Sequence, residues 1–387
     1  MKYSIIHNFG EKMNNNTKKT IGLFTLPLGS ASVIPLFNLV EILGSISKKF
    51  TLITGNDGYT LYKDEQRFTV YKINYQIDDS IWKIFRFLCG QIKGSIYLIQ
   101  NVKKVRYWFF FGGQRSFIPI LTAKLLNKKV ITVMAGSAIR DASFSQDNFL
   151  NVTKVLSSTC LSLTDKIIIY SPNLIQEWNL TPYRHKILIA HRHFLDFNNF
   201  TVTTPYHDRP PLIGYIGRLS GEKGVQHFAQ ALPAILSNHQ DLCVLIGGDG
   251  QLKQEIEASL QDGSLADRVD LPGWISHDEL PKYLNKLRLL VLPSYTEGLP
   301  NIMLEAMACG TPVLATPVGA IPDVIRDGET GFIMEDNSPE CIARNVMRAL
   351  NDPDLEDVAE RGRRFVEGEY TFEKVVEKWK GILRDIQ

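Results

Sequence analysis

Long hydrophobic runs are missing from this 387-residue chain. No apolar stretch approaches the ~20 residues of a membrane-spanning helix, and the opening MKYSIIHNFGEKMNNNTKK lacks a signal-peptide core, which sets the expectation of a cytoplasmic protein. Cysteine is scarce and dispersed. Cys89, Cys160, Cys243, Cys309 and Cys341 show no CxxC spacing, so neither a disulfide framework nor a zinc site is expected, and Cys309 reads as a small packing residue. Complete phosphate fingerprints are absent too. The run IGGDGQ does not complete G-x-G-x-x-G, which disfavours NAD, and Gly217 is followed five residues later by Glu222 where a Walker loop needs glycine. No nucleic-acid reading motif accompanies the cations, so no nucleic-acid partner is expected. Asp352 to Asp354 spell an acidic triplet after a C-terminal helix, where a turn is the better reading than a metal site.

The chain does hold enough apolar residues, 44%, for two domains with separate cores. Its net charge of +2 hides an asymmetry: the first 200 residues carry 25 Lys+Arg against 12 Asp+Glu, the remainder 18 against 29. A basic first half suits an anionic membrane surface or an anionic lipid-linked acceptor.

From Pro211 onward short apolar runs alternate with amphipathic ones: LIGYIG, LCVLIGG, RVDLPG, LLVLP, TPVLAT and TGFIM, with helices between. Near-continuous apolar strands in a β-α rhythm predict a doubly wound parallel sheet that binds ligands at its carboxyl edge. The first half repeats the rhythm, with strands expected at Thr20 to Leu26, Phe50 to Thr54, Arg106 to Phe111, Val130 to Met134, Lys166 to Tyr170 and Lys186 to Ala190. The predicted organisation is an N-terminal Rossmann-like acceptor domain over 1–197, a polar linker over 198–210, a C-terminal Rossmann-like donor domain over 211–371 and a helix over 372–387.

The most informative segment is PSYTEGLPNIMLEAMACGTPVLATP, Pro293 to Pro317. Pro300 and Asn301 open a short helix, whose unpaired N–H groups make the turn Gly298, Leu299, Pro300, Asn301 a seat for a diphosphate. Glu297 lies before that seat and Glu305 over one turn inside it. Both can accept hydrogen bonds from the hydroxyls of the two sugars that flank a nucleotide-sugar diphosphate. In IGYIGRLSGEKGV a strand ends at Gly217, and Arg218 and Lys223 follow, two cations able to neutralise a diphosphate without a metal. Gly248 and Gly250 form a turn after the next strand.

The pair Glu297 and Glu305 resembles the E-x7-E signature of retaining glycosyltransferases of the GT-B fold, glycosyltransferase family 4 (glycosyl transferases group 1). The resemblance covers about residues 205 to 370 well and the first half loosely. It implies an α/β fold of two Rossmann-like doubly wound domains facing across a cleft, with the C-terminal helix returning to the N-terminal domain. It also implies that Glu297 contacts the donor sugar and Glu305 the ribose. Arg218 and Lys223 stand as in the family's GR-x-KG element, which contacts the donor phosphates. Gly248 and Gly250 match its GDG turn, and Trp274 and Ile275 lie where the family passes backbone along the base, although core packing is the favoured reading for Trp274. The implied enzyme is a hexosyltransferase-type, metal-independent glycosyltransferase. It needs no cofactor, and a UDP- or GDP-sugar is its donor. A lipid-linked or cell-surface glycan is the implied acceptor, and the implied location is the cytoplasm, with peripheral association at the inner face of the cell membrane.

The first half departs from the family. Many members have a histidine before a strand-end glycine; if Gly136 is that glycine, Ala135 stands in the histidine's place. Gly136, Ser137 and Arg140, with Gly29 and Ser30 after the first strand, are the remaining acceptor-side candidates. His191 and His193 read as structural or linker-capping. The missing histidine keeps open an alternative, a catalytically silent GT-B subunit that binds a nucleotide sugar or a partner. Intact Glu297, Glu305, Arg218 and Lys223 argue against it. Transfer with retention can dispense with a strong base, because the leaving phosphate oxygen can take the acceptor's proton. Finally, the segment from Ile81 to Gly113 mixes large apolar residues with cations. It reads either as an interfacial amphipathic helix, with Ile81, Ile84, Phe85, Leu88 and Ile92 on one side, or as a core helix before the strand VRYWFFF.

Overall fold

Strands such as YWFFF and LLVL carry no charged side chain and are aromatic or aliphatic throughout, so both of their faces call for cover. A computed structural model describes residues 19–28, 33–73, 83–139, 150–260 and 265–386. The chain separates into one unit of Met1–Arg192 with Val375–Gln387, and a second of His193–Lys374.

The first unit holds β1 (Lys19–Thr25), α1 (Val33–Ile46), β2 (Ser47–Thr54), α2 (Asn56–Tyr62), β3 (Thr69–Lys72), α3 (Lys83–Gln100) and β4 (Tyr107–Phe111). It continues with α4 (Phe117–Leu125), β5 (Lys129–Val133), α5 (Leu150–Leu163), β6 (Lys166–Ile169), α6 (Leu174–Glu177) and β7 (Ile187–Ile189). The seven strands are ordered β3-β2-β1-β4-β5-β6-β7 and pair in parallel throughout. Phe24, Trp108, Phe110, Ile120 and Val130 build the core on one face of this sheet. β3 escaped the sequence reading because TVYK is a four-residue edge strand without a buried run. Along α3, Ile84, Phe85, Leu88, Ile92, Ile96 and Ile99 are exposed while Leu98 is buried in the core of the sheet, so the helix after Ile81 is docked along one side rather than enclosed in the core, and all of β4 is buried.

The second unit contains β8 (Leu212–Ile216), α7 (Val225–Asn238), β9 (Cys243–Gly247), α8 (Lys253–Leu260), β10 (Val269–Gly273), α9 (Leu280–Leu284) and β11 (Leu289–Leu292). It goes on through α10 (Asn301–Ala308), β12 (Val313–Ala315), α11 (Ile321–Val324), β13 (Phe332–Ile333), α12 (Pro339–Leu350) and α13 (Leu355–Glu369). The parallel strand order is β10-β9-β8-β11-β12-β13. Ile213, Phe228, Leu232, Val291, Phe332 and Ile342 lie in its core.

The division falls at Arg192/His193, ahead of the linker expected at 198–210. Those linker residues pack instead onto the second unit. Asn285 Oδ1 accepts from Thr203 N at 2.7 Å, and the buried Arg209 guanidinium donates to Leu287 O at 2.9 Å, Cys309 O at 2.7 Å and Thr311 Oγ1 at 2.8 Å. Five donors in a rigid fork suit a cation that must tie several carbonyls at once. Burial pulls its pKa down.

A last helix, α14 (Phe372–Asp385), buries Val375, Val376, Trp379, Ile382 and Leu383, an i, i+3, i+4 stripe. Its residues from Val375 belong to the first unit, where the fully buried Trp379 donates from Nε1 to His191 O at 2.8 Å and lies 6.3 Å from the Phe109 ring. Trp379→Ala should lower the stability of the first unit by about 3–5 kcal/mol through the cavity it leaves. Denaturant unfolding followed by tryptophan fluorescence and circular dichroism would measure the loss.

Candidate active site

β8 and β11 are neighbours at the point where the strand order of the second sheet reverses, so the loops after them open together at the carboxyl edge. The two loops are joined by backbone and side chain alike. Tyr295 N donates to Glu222 O at 3.0 Å, Ser294 Oγ donates to Glu297 Oε1 at 2.8 Å, and Lys223 Nζ donates to the same oxygen at 2.7 Å. The Glu297 side chain is only 8% exposed and that of Lys223 23%, so the pair interacts where water screens it weakly. Two candidates that are 74 positions apart in sequence thus meet.

Arg218 is exposed and its Nη1 lies 3.1 Å from Glu222 Oε1. Its carbonyl accepts from the Tyr215 hydroxyl at 2.7 Å, which fixes the backbone from which the guanidinium extends. Burial drives the Tyr215 pKa well above its ordinary value, so this hydroxyl stays a donor. The turn after β9 is knitted to the same loop: Leu219 N donates to Asp249 O at 2.9 Å and Leu252 N to Leu219 O at 3.0 Å. At Gly248, φ is +137° and a Cβ would lie 1.8 Å from Gly217 O, so only glycine lets the two loops close this far.

α10 begins at Asn301 after Pro300, and no side chain caps it. Its first N–H groups and partial positive charge are what an anion needs. Leu299 is buried and holds the turn, while Gly298 O accepts from Ala320 N at 2.8 Å. Glu305 is 7% exposed, and its Oε1 lies 3.1 Å from His277 Nε2. The sequence reading missed His277, and the only signal was its place two residues after Ile275. Ser294 was missed as well, because its role depends on where Glu297 folds back. Ile275 is half-buried. Trp274 is a correction: core packing was favoured, yet the residue is 75% exposed, because β10 ends at Gly273 and the next residue leaves the sheet. Cys309 is buried and its thiol pKa is pushed up to about 12 by burial, which leaves it unreactive. Asp352 Oδ1 accepts from Asp354 N at 2.8 Å in a turn before α13.

In the first unit, Gly136 and Ser137 follow β5, and their loop is anchored by Ala138 N donating to Gln114 Oε1 at 3.0 Å. Ala135 O accepts from the Tyr170 hydroxyl at 3.3 Å. Gly29, Ser30 and Arg140 lie outside the described residues. His191 and His193 are buried. Between them, Arg192 went unnoticed in the sequence: its buried guanidinium stands 5.5 Å from the Phe111 ring and 5.6 Å from the Tyr170 ring, and burial lowers its pKa.

Over 95% of this chain and 100% of the other, the structure superposes on HepE of Anabaena crystallised with UDP, at a TM-score of 0.75 and 14% identity. The fold is GT-B. Residues 199–365, nearly all of the second GT-B unit, match the model of Glycosyl transferases group 1. An alpha-D-kanosaminyltransferase of Streptomyces kanamyceticus is 32% identical over 180 residues, 46% of this chain and 47% of that protein. The chain thus spans about half the length of this curated relative. An uncharacterized glycosyltransferase of Haemophilus influenzae aligns over 94% of this chain and 100% of its own length at 27% identity.

The hydrogen bond that His277 donates to the Glu305 carboxylate raises the His277 pKa, and burial offsets this only in part. The protonated ring therefore stabilises the fold fully below its unfolded pKa of about 6.5, and that contribution disappears as pH rises through the higher folded value. Because the ring is 42% exposed, the effect is modest. His277→Ala should flatten the pH dependence of the thermal midpoint from about pH 6 to 8, as scanned by calorimetry.

Proposed function

We propose that this GT-B protein is a retaining glycosyltransferase of family 4 that moves a sugar from a nucleotide-diphosphate sugar to an acceptor hydroxyl. The observation that carries the reading is the Lys223–Glu297 contact of 2.7 Å beside the uncapped start of α10. It puts a cation, an anion seat and a hydroxyl acceptor within one loop pair at the carboxyl edge.

In this reading the acceptor hydroxyl attacks the anomeric carbon of the donor. The new C–O bond forms on the face from which the bond to the β-phosphate breaks, and the departing phosphate oxygen takes the acceptor's proton. Arg218, Lys223 and the first N–H groups of α10 stabilise the negative charge that builds on the leaving diphosphate, a task that requires no metal. Glu297 positions the transferred hexose and Glu305 accepts from the ribose. Gly217, Gly248 and Gly250 bring backbone close to the nucleotide, and Trp274 and Ile275 border the base. On the acceptor side the reading assigns Gly29, Ser30, Gly136, Ser137 and Arg140. The donor is a UDP- or GDP-sugar. The acceptor is a lipid-linked or cell-surface glycan, met by a cytoplasmic protein resting on the inner face of the membrane. The basic first half supports that location, and no helix among the described residues is long and apolar enough to cross a membrane.

Release of nucleoside diphosphate from UDP- and GDP-sugars in the presence of a lipid extract tests the reading. Release from one donor, reduced roughly 10²- to 10³-fold by Glu297→Gln or Lys223→Ala, is the expected result. Binding of a donor without turnover under every condition, acceptor included, would favour the silent subunit. Glu305→Ala should weaken nucleoside diphosphate binding about tenfold by calorimetry, as loss of one charged hydrogen bond predicts. Unchanged affinity would remove it from the ribose.

A further inference from the structure

α3 is amphipathic the wrong way round for a helix facing water. Its sequence, KIFRFLCGQIKGSIYLIQ, places Leu88, Ile92, Ile96 and Ile99 at successive steps of three or four residues, a single stripe along the axis. That stripe is exposed, with Ile92 at 51%, Ile96 at 48% and Ile99 at 51%. The face turned to the sheet is small and polar over most of its length, and Leu98 is the one aliphatic residue among those described in α3 that enters the core. Gln91 and Ser95 are buried there, Gln91 Oε1 accepts from Ile118 N at 3.0 Å, and Ser95 Oγ donates to Gln91 O at 2.9 Å. Gly94 sits against the Phe24 ring. Four bulky aliphatic side chains in line on the outside of an 18-residue helix, roughly 27 Å long, form a patch that soluble surfaces rarely expose.

The stretch of sequence that carries the stripe is charged with one sign only. From Ile81 to Arg140 the sequence holds eleven Lys and Arg and neither Asp nor Glu. Directly after α3 the chain borders a hollow of about 630 Å³ lined by Lys19, Lys103, Lys104, Arg106 and Lys128. Lys103, Lys104 and Arg106 are exposed, and none is ion-paired among the described residues. Lys19 donates to Leu383 O, and its pKa is lowered by burial and by Arg106, as expected where cations crowd.

We propose that α3 and the basic hollow at its C-terminal end form a docking face for a bilayer surface rich in anionic phospholipid. The aliphatic stripe enters the acyl boundary and the lysines meet the headgroup phosphates. This deepens the membrane-surface reading given above by naming the face responsible. A second copy of the chain is a poorer occupant, because a two-fold contact would press two cation-rich surfaces together.

Cosedimentation of the full chain with phosphatidylcholine vesicles, with and without phosphatidylglycerol, tests the proposal. Binding should be at least about tenfold stronger with phosphatidylglycerol, and it should weaken as salt is raised. Ile92→Gln/Ile96→Gln and Lys103→Glu/Lys104→Glu, both at exposed positions, should each lose roughly tenfold or more in vesicle affinity while binding nucleoside diphosphate like the parent. Vesicle binding that ignores both double substitutions would overturn this face and leave membrane association standing. No binding to either vesicle would overturn both, and nucleotide release would still report on the transferase reading. A concentration-dependent dimer seen by light scattering, lost in Ile92→Gln/Ile96→Gln and without vesicle binding, would assign the face to self-association instead.

Discussion

A parallel strand covered on both faces has no place along its length for an ionised side chain, because stripping water from an unpaired charge costs more than packing returns. Tyr107–Phe111 and Leu289–Leu292 are buried from end to end. Chemistry is therefore displaced to the strand ends, and most of all to the place where the strand order turns back and the covering helices diverge. Arg218, Lys223 and Glu297 all stand past the last residue of β8 or β11. The sheet decides where groups able to reach a ligand can stand.

In the second unit those groups are already matched with one another: Lys223 with Glu297, Arg218 with Glu222 and His277 with Glu305. Each pair holds its members in position before any ligand arrives. On the function proposed above, a charged ligand would exchange one partner for another, which avoids leaving a half-buried charge alone. Such prior organisation is how a site keeps reorganisation out of its reaction barrier.

How much of this could be read from sequence follows from range. β-α alternation and buried strands are local signals, and both sheets and the terminal helix were visible in them. The short motif around Glu297 was legible because its turn, helix and strand are contiguous. Contacts made across sequence were not. Nothing near Glu305 announces His277, which is 28 positions away, and nothing near Arg209 announces the Cys309 carbonyl it ties. Direction was hidden too. α3 shows a helical apolar stripe in its sequence, but periodicity says only that a helix has two faces, and it took the buried Gln91 to show which one faces the protein. The polar run after Asn198 looked like free linker because its partners, Asn285 and Leu287, lie some 80 positions ahead.

Trp379 belongs to the core of a unit whose other residues end at Arg192, so about 180 residues of a different unit are synthesised in between. On the ribosome the first sheet emerges early, yet the ring that covers Phe109 and satisfies the His191 carbonyl emerges only after the whole second unit. At translation rates of roughly 5–20 residues per second, that leaves an uncovered apolar face for on the order of ten seconds or more. The unit begun earlier is thus completed only after the unit inserted within it, and until then the nascent chain carries a vacancy that α14 closes.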